Sequence, residues 1–111
     1  MNDKTLLIKD DVIGERSELG SKLILGFLST LKSCATLPSS IFLLNRGVLL
    51  ATTNEDSIKI LKDLENLGIK IYSCQTCLES LEVMDKLQVG KVGNAKDTLE
   101  ALLNSSNAIS L

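Results

Sequence analysis

Two cysteines separated by two residues carry the clearest chemical signal in this sequence. Cys74 and Cys77 closely follow the strand-like run 69–72. Thr76 and Glu79 have the spacing of a capping box, which predicts that a helix begins at this turn with Thr76 as its N-cap. Both sulfurs would then lie near the positive end of the helix, where free N–H groups and the helix dipole lower a thiol's pKa. Because the thiolate is the form that attacks sulfur, Cys74 and Cys77 are the candidate catalytic residues.

Residue types that are missing narrow the chemistry further. The 111-residue chain has three cysteines and no histidine, which excludes Ser-His and Cys-His nucleophile pairs and histidine metal sites. Three cysteines fall short of the four ligands of a typical structural zinc site, and no dinucleotide or P-loop pattern is present. A net charge of −2, the absence of Trp and an aromatic content of 3% disfavour a nucleic-acid partner. We therefore expect no metal, no organic cofactor and no nucleic-acid partner.

The third cysteine is predicted to have a structural role. Cys34 comes late in the first predicted helix, close to its apolar stripe, so we expect it to fill space in the core. The charged segment 9–11 is predicted to be a solvated cluster. Four other polar residues of predicted loops could line the thiol site: Glu15, Arg16, Asn45 and Arg46.

Strand-like and helix-like segments alternate along the chain, and this order predicts an α/β domain with a parallel sheet. The predicted strands are 5–8, 40–44, 69–72, 88–92 and 108–111. The first helix is predicted to run from its N-cap Ser17 to about Ala35. Ligands and chemistry lie beyond the carboxyl ends of the strands in such sheets. The loops expected there are 9–16, 45–47 and 73–77.

Apolar spacing predicts which faces of the helices are buried. In the first helix the apolar stripe contains Leu19, Leu23, Ile24, Phe27, Leu28 and Leu31. In the last helix the residues expected to face inward are Ala95, Leu99, Leu102 and Leu103. Leu25 lies outside its stripe, and the apolar segment 48–50 belongs to no clear element. We expect these two features to meet another subunit, since a small domain rarely exposes such surface.

Nothing in the sequence resembles a signal for export or membrane insertion. Residues 1–4 are charged and lead straight into a strand-like segment, unlike a signal peptide. The longest uncharged apolar run, 23–28, is far too short to span a bilayer. We therefore expect residues 1–111 to form one cytoplasmic domain, in which a close cysteine pair indicates redox, metal or sulfur chemistry and not a disulfide framework.

Several segments resemble the DsrE-like domain of the YedF family, in order and over nearly the whole chain. The segments are Glu18-Leu19-Gly20, Gly26-Phe27-Leu28, 41–48, 64–69, Ser73-Cys74-Gln75-Thr76-Cys77-Leu78 and 85–90. The resemblance implies a three-layer α/β/α fold with a mainly parallel five-stranded sheet. It also implies a sulfur-relay protein, sulfurtransferase-like in its chemistry, that assembles as a trimer or hexamer and works between a sulfur donor and an acceptor protein.

The same resemblance implies roles for the two cysteines. Cys74 matches the position that accepts a persulfide in related sulfur-relay proteins, and Cys77 would resolve that persulfide or tune the site. The YedF group is linked to selenium metabolism by association. Two other functions remain open: a C-x-x-C dithiol redox protein, and a non-enzymatic oligomeric scaffold or binding subunit whose cysteines are incidental.

Overall fold

The structure is a computed structural model that describes residues 3–111, and its centre is a five-stranded sheet in which every pairing is parallel. The strand order is β4-β3-β2-β1-β5. The strands are β1 Thr5–Ile8, β2 Ser40–Leu43, β3 Lys70–Cys74, β4 Lys91–Gly93 and β5 Ala108–Ser110. The predicted α/β class with a parallel five-stranded sheet is confirmed.

Four α-helices connect the strands, together with two short 3-10 helices at Asn45–Ala51 and Met84–Lys86. The α-helices are α1 Glu18–Leu31, α2 Glu55–Asn66, α3 Gln75–Ser80 and α4 Ala95–Asn104. The first three connections move in one direction across the sheet, and the fourth returns from one edge to the other. Because parallel crossovers are right-handed, α1, α2 and α3 cover one face and α4 lies on the opposite face.

The main core lies between the sheet and the first three helices. Leu6, Ile41 and Ile71 are aligned across β1, β2 and β3 and are buried. The helices contribute fully buried side chains to the same cluster: Ile24 and Leu28 from α1, Leu61 and Leu64 from α2, and Leu78 from α3. This apolar layer fixes the three central strands and therefore the position of their carboxyl ends.

The opposite face is covered more thinly. Phe42 and Tyr72 lie side by side in the register and stack with ring centroids 5.3 Å apart. Helix α4 buries Thr98 but leaves Leu99 56% and Leu103 82% exposed, so the prediction that both leucines face inward is wrong. The reason is a rotation of the helix: Thr98 and the partly buried Leu102, one turn apart, take the inward positions.

Helix α1 also differs from its predicted face. Its buried positions are Gly20, Ile24 and Leu28, while Leu19 and Phe27, one residue earlier in each turn, are 66% and 55% exposed. Leu25 instead packs against the core, and Val48 and Leu50 are completely buried within the 3-10 helix Asn45–Ala51. The two features predicted to meet another subunit therefore contribute to the domain's own core, with Val48 and Leu50 fully buried and Leu25 and Leu49 partly buried.

Several element boundaries differ from prediction, and two of the differences have a clear local cause. Helix α1 ends at Leu31 and not near Ala35, because Ser33 and Cys34 donate their N–H groups three residues back and tighten the chain into turns. Strand β4 is Lys91–Gly93 and not 88–92, since Gly90 has a positive φ of 77° that bends the chain before it pairs. Within residues 3–111, no helix combines the length and apolarity needed to cross a membrane.

Candidate thiol site

Cys74 lies at the carboxyl end of a central strand. It is the last residue of β3, pairs with Gly93 of β4, and serves as the N-cap of α3 without a side-chain capping bond. The helix therefore begins at Gln75, and the prediction of Thr76 as the cap is wrong because the strand runs into the helix without an intervening turn. Cys77 becomes the third helical residue.

The two thiols are in contact, as the C-x-x-C spacing predicts. The side chains of Cys74 and Cys77 lie close enough for Cys74 to influence the ionisation of Cys77, and both residues are partly exposed. Cys77 packs against the edge of the core, and its Sγ accepts a hydrogen bond from the backbone N–H of Asn45 at 3.1 Å. The sulfur pair thus lies where β3 passes into α3, and the turn after β2 contacts it.

Electrostatics separate the two sulfurs. Burial raises the pKa of the Cys77 thiol; the N–H of Asn45 acts in the opposite direction, and the hydrogen bond and charge of Cys74 raise the pKa further. The expectation that the helix start lowers the pKa of this thiol is therefore wrong, because desolvation exceeds the effect of a helix only six residues long. At neutral pH Cys77 is therefore present mainly as the neutral thiol.

Charged residues from two of the predicted loops form a network at this edge of the sheet. Arg16 donates from Nη1 to Asp11 Oδ1 at 2.6 Å and from Nη2 to Asp10 Oδ1 at 2.5 Å. Arg46 donates from Nη2 to Asp11 Oδ2 at 3.4 Å. The segment 9–11 was predicted to be simply solvated, but Asp11 is partly buried and paired with both cations because the loop folds back over the end of β2.

The charge state of Asp11 follows from these contacts. Desolvation opposes ionisation, but hydrogen bonds from the Arg16 and Arg46 guanidinium groups exceed it and lower the pKa of the Asp11 carboxyl. Of the four polar candidates, Arg16, Asn45 and Arg46 belong to this edge, whereas the exposed Glu15 does not enter its ion pairs.

One neighbour of the thiols was missed in the sequence. Gly93 pairs with Cys74, so Asn94, the N-cap of α4, follows immediately beside the site. Its side chain accepts the N–H of Asp97 at 2.8 Å, which fixes the start of that helix. The Asn94 cap is visible in the sequence, and ending the fourth strand directly before it would have located this loop.

Cys34 lies elsewhere and is exposed, so the prediction of a buried core cysteine is wrong. Because α1 ends early, Cys34 falls in the following turn, where its Sγ is 3.8 Å from the carbonyl oxygen of Thr30. It borders an apolar groove of about 550 Å³ beside α1 whose lining includes Leu23, Phe27 and Leu111. The groove does not include either thiol of the pair.

Comparison with solved structures gives the same fold. The ychN protein from E. coli matches with a TM-score of 0.72 and 15% sequence identity over 100% of both chains. BT1422 from Bacteroides thetaiotaomicron, a conserved protein of unknown function, matches with a TM-score of 0.68 and 17% identity over 98% of this chain and 95% of its own. At these identities the likeness shows a shared DsrE-like fold and nothing more. No family model matches the sequence, and no curated protein matches it significantly.

Proposed function

We propose that this protein is a sulfur-relay subunit of the YedF type that carries a persulfide on Cys74. The observation that supports this most directly is the contact between two partly exposed thiols at the carboxyl end of β3, with Cys77 as the protonated partner. A strand end of a parallel sheet is where reacting groups usually lie in α/β proteins. In this proposal Cys74 reacts while the neighbouring Cys77 thiol donates a hydrogen bond to its sulfur.

Loading is a sulfur exchange that needs no outside oxidant. The Cys74 thiolate attacks the outer sulfur of a donor persulfide, and a new S–S bond forms. The S–S bond of the donor breaks, its electron pair leaves on the donor thiolate, and that thiolate takes a proton from solvent. A nucleophile on the acceptor protein repeats the exchange and restores the Cys74 thiolate.

Cys77 has two possible parts in this cycle. Its hydrogen bond stabilises negative charge on the neighbouring sulfur while the persulfide is held. Alternatively, its own thiolate attacks Cys74 Sγ, forms the Cys74–Cys77 disulfide and releases the outer sulfur as hydrosulfide. A dithiol reductant must then reduce the disulfide before the next cycle.

Intact mass spectrometry after exposure to glutathione persulfide tests the proposal. We use Cys34→Ala as the background, because the exposed Cys34 would react independently. This variant should gain one sulfur atom, mapped by peptide analysis to Cys74. Adding Cys74→Ser should abolish the gain. A Cys74 that stays unmodified contradicts the sulfur relay and favours the scaffold.

The closeness of the two thiols also supports a second candidate, a dithiol redox protein. In that case the pair would equilibrate with a glutathione buffer between dithiol and disulfide. A reduction potential within the range of cellular dithiol proteins, together with no persulfide on Cys74, would favour this function over the relay.

We further propose that the protein works in the cytoplasm as a homo-oligomer, a trimer or hexamer, between donor and acceptor proteins. Exposed apolar side chains on two helices support an assembly: Leu19 and Phe27 on α1, and Leu99 and Leu103 on α4. A light-scattering mass of one chain at micromolar concentration would contradict it. The same exchange balances with a selenopersulfide donor, in which selenium replaces the outer sulfur, and loading with glutathione selenopersulfide tests that link.

A further inference from the structure

The turn that approaches Cys77 is fixed on its backbone side. The N–H of Leu44 donates to the carbonyl oxygen of Ile8 at 2.9 Å, and the N–H of Gly47 donates to Leu44 at 2.8 Å. A Cβ at Gly47 would lie 2.5 Å from the Ile8 oxygen, so only glycine fits against the end of β1. Leu44 and Gly47 are therefore held against the end of the first strand, and Asn45 and Arg46 lie between these two fixed points.

Asn45 within this turn has an unusual backbone. Its φ is +51°, a left-handed conformation that asparagine tolerates better than most residues. In this conformation its N–H donates to Cys77 Sγ at 3.1 Å. The contact thus depends on a strained residue that neighbouring interactions must hold.

The side chain of the next residue supplies such an interaction. Arg46 reaches Asp11, and its Nε is buried without a hydrogen-bond partner in the part of the chain that the structure describes. Asp11 in turn accepts Arg16 and is 19% exposed, against 39% for Asp10. Asp11 therefore joins the loop after β1 to the turn after β2, whereas the Asp10 carboxylate pairs with Arg16 and accepts the backbone N–H of Asp11 at 2.8 Å, both within the loop after β1.

We infer that Asp11 is a positioning residue of the thiol pair: through Arg46 it keeps the Asn45 amide in hydrogen-bond contact with Cys77 Sγ. This positioning role rests on the proposed function. The Asn45 amide controls how readily Cys77 ionises, and Cys77 must ionise before it can discharge a persulfide on Cys74. The groups that act on Cys77 are Cys74 from β3 and the uncharged amide from the β2 turn; Asp11 acts only through Arg46.

Peptide-resolved alkylation across pH tests this role without a sulfur donor. The variant is Asp11→Ala and the matched control is Asp10→Ala, and both are made in the Cys34→Ala background. Losing the amide bond should move the alkylation midpoint of Cys77 to higher pH by roughly half a unit to one unit. Asp10→Ala should leave the alkylation midpoint of Cys77 at its parent value, and Asp11→Glu should return the midpoint most of the way to that value. An equal midpoint in Asp11→Ala and Asp10→Ala overturns the role.

If the Asp11→Ala chain does not fold, a second variant and a second measurement test the same role. Asp11→Asn keeps the shape of the side chain and removes its charge. The amide proton resonance of Asn45 should follow the titration of Cys77 in the parent and lose that dependence in Asp11→Asn; an unchanged dependence overturns the role. Persulfide loading of the same variants separates the two proposals, since a shifted midpoint without sulfur uptake contradicts the relay alone.

Discussion

The two regions that carry cysteines differ in what surrounds the sulfur atoms. Cys34 is exposed after α1, where the nearest partner of its thiol is the Thr30 carbonyl at 3.8 Å. Cys77 is less exposed but accepts a backbone N–H and contacts a second thiol. Accessibility alone thus leaves Cys34 an ordinary surface thiol, and neighbouring groups give the pair its chemistry.

The surroundings of these regions differ in the same way. Around Cys34, the groove beside α1 is lined mainly by leucine and phenylalanine side chains. Around the pair, the loops after β1 and β2 contribute an amide, a carboxylate and guanidinium groups. Parallel strands end at the same edge of the sheet, so residues distant in sequence meet there and not at the groove.

The largest expected effect is on alkylation at neutral pH. Limiting iodoacetamide should label Cys34 roughly tenfold faster than Cys77, because burial and the raised pKa of Cys77 keep less of it as thiolate. Because the pKa of Cys77 is raised, its alkylation rate should begin to increase at a higher pH than that of an ordinary thiol. Peptide mapping at several pH values measures it. Labelling of Cys77 before Cys34 would contradict the contrast between the two regions.

Removing the second thiol should have the next largest effect. In Cys77→Ser, persulfide on Cys74 should accumulate severalfold more than in the parent if Cys77 discharges it, because the serine hydroxyl cannot form a disulfide. Both proteins carry Cys34→Ala, because the exposed Cys34 would take up sulfur independently, and intact mass after donor treatment compares Cys77→Ser with the Cys34→Ala parent. Equal accumulation in both would show that Cys77 only tunes Cys74.

How much the sequence predicts also differs between the regions. The thiol edge was largely predictable, since Cys74 follows an apolar run and parallel strands bring their ends together. The raised pKa of Cys77 was not predictable, because it depends on how α3 packs and buries this thiol, and the local sequence spacing does not determine that packing. Around α1, apolar spacing alone could not decide whether Phe27 or Leu25 faces inward, since both border the buried row.

Two glycines allow the rigidity of the regions to be compared. Gly47→Ala should destabilise the protein by about 1–3 kcal/mol, because the new Cβ would lie 2.5 Å from the Ile8 oxygen. Gly26→Ala on the exposed side of α1 meets nothing within 4 Å and should stabilise the helix by roughly 0.5–1 kcal/mol. Urea unfolding measures both. A Gly47→Ala protein as stable as the parent would show that the turn is not fixed as described.

The smallest expected effect concerns Cys34 itself. A buried cysteine would lose more stability on replacement by Ser than by Ala, since the hydroxyl would need a partner. Cys34 is exposed, and water can satisfy a hydroxyl there, so Cys34→Ser and Cys34→Ala should each change the free energy of unfolding by no more than about 0.5 kcal/mol. Parallel urea titrations of the two variants measure the difference. A Ser variant clearly less stable than the Ala variant would mean that this cysteine is covered, as it would be if the groove beside α1 were buried in an assembly.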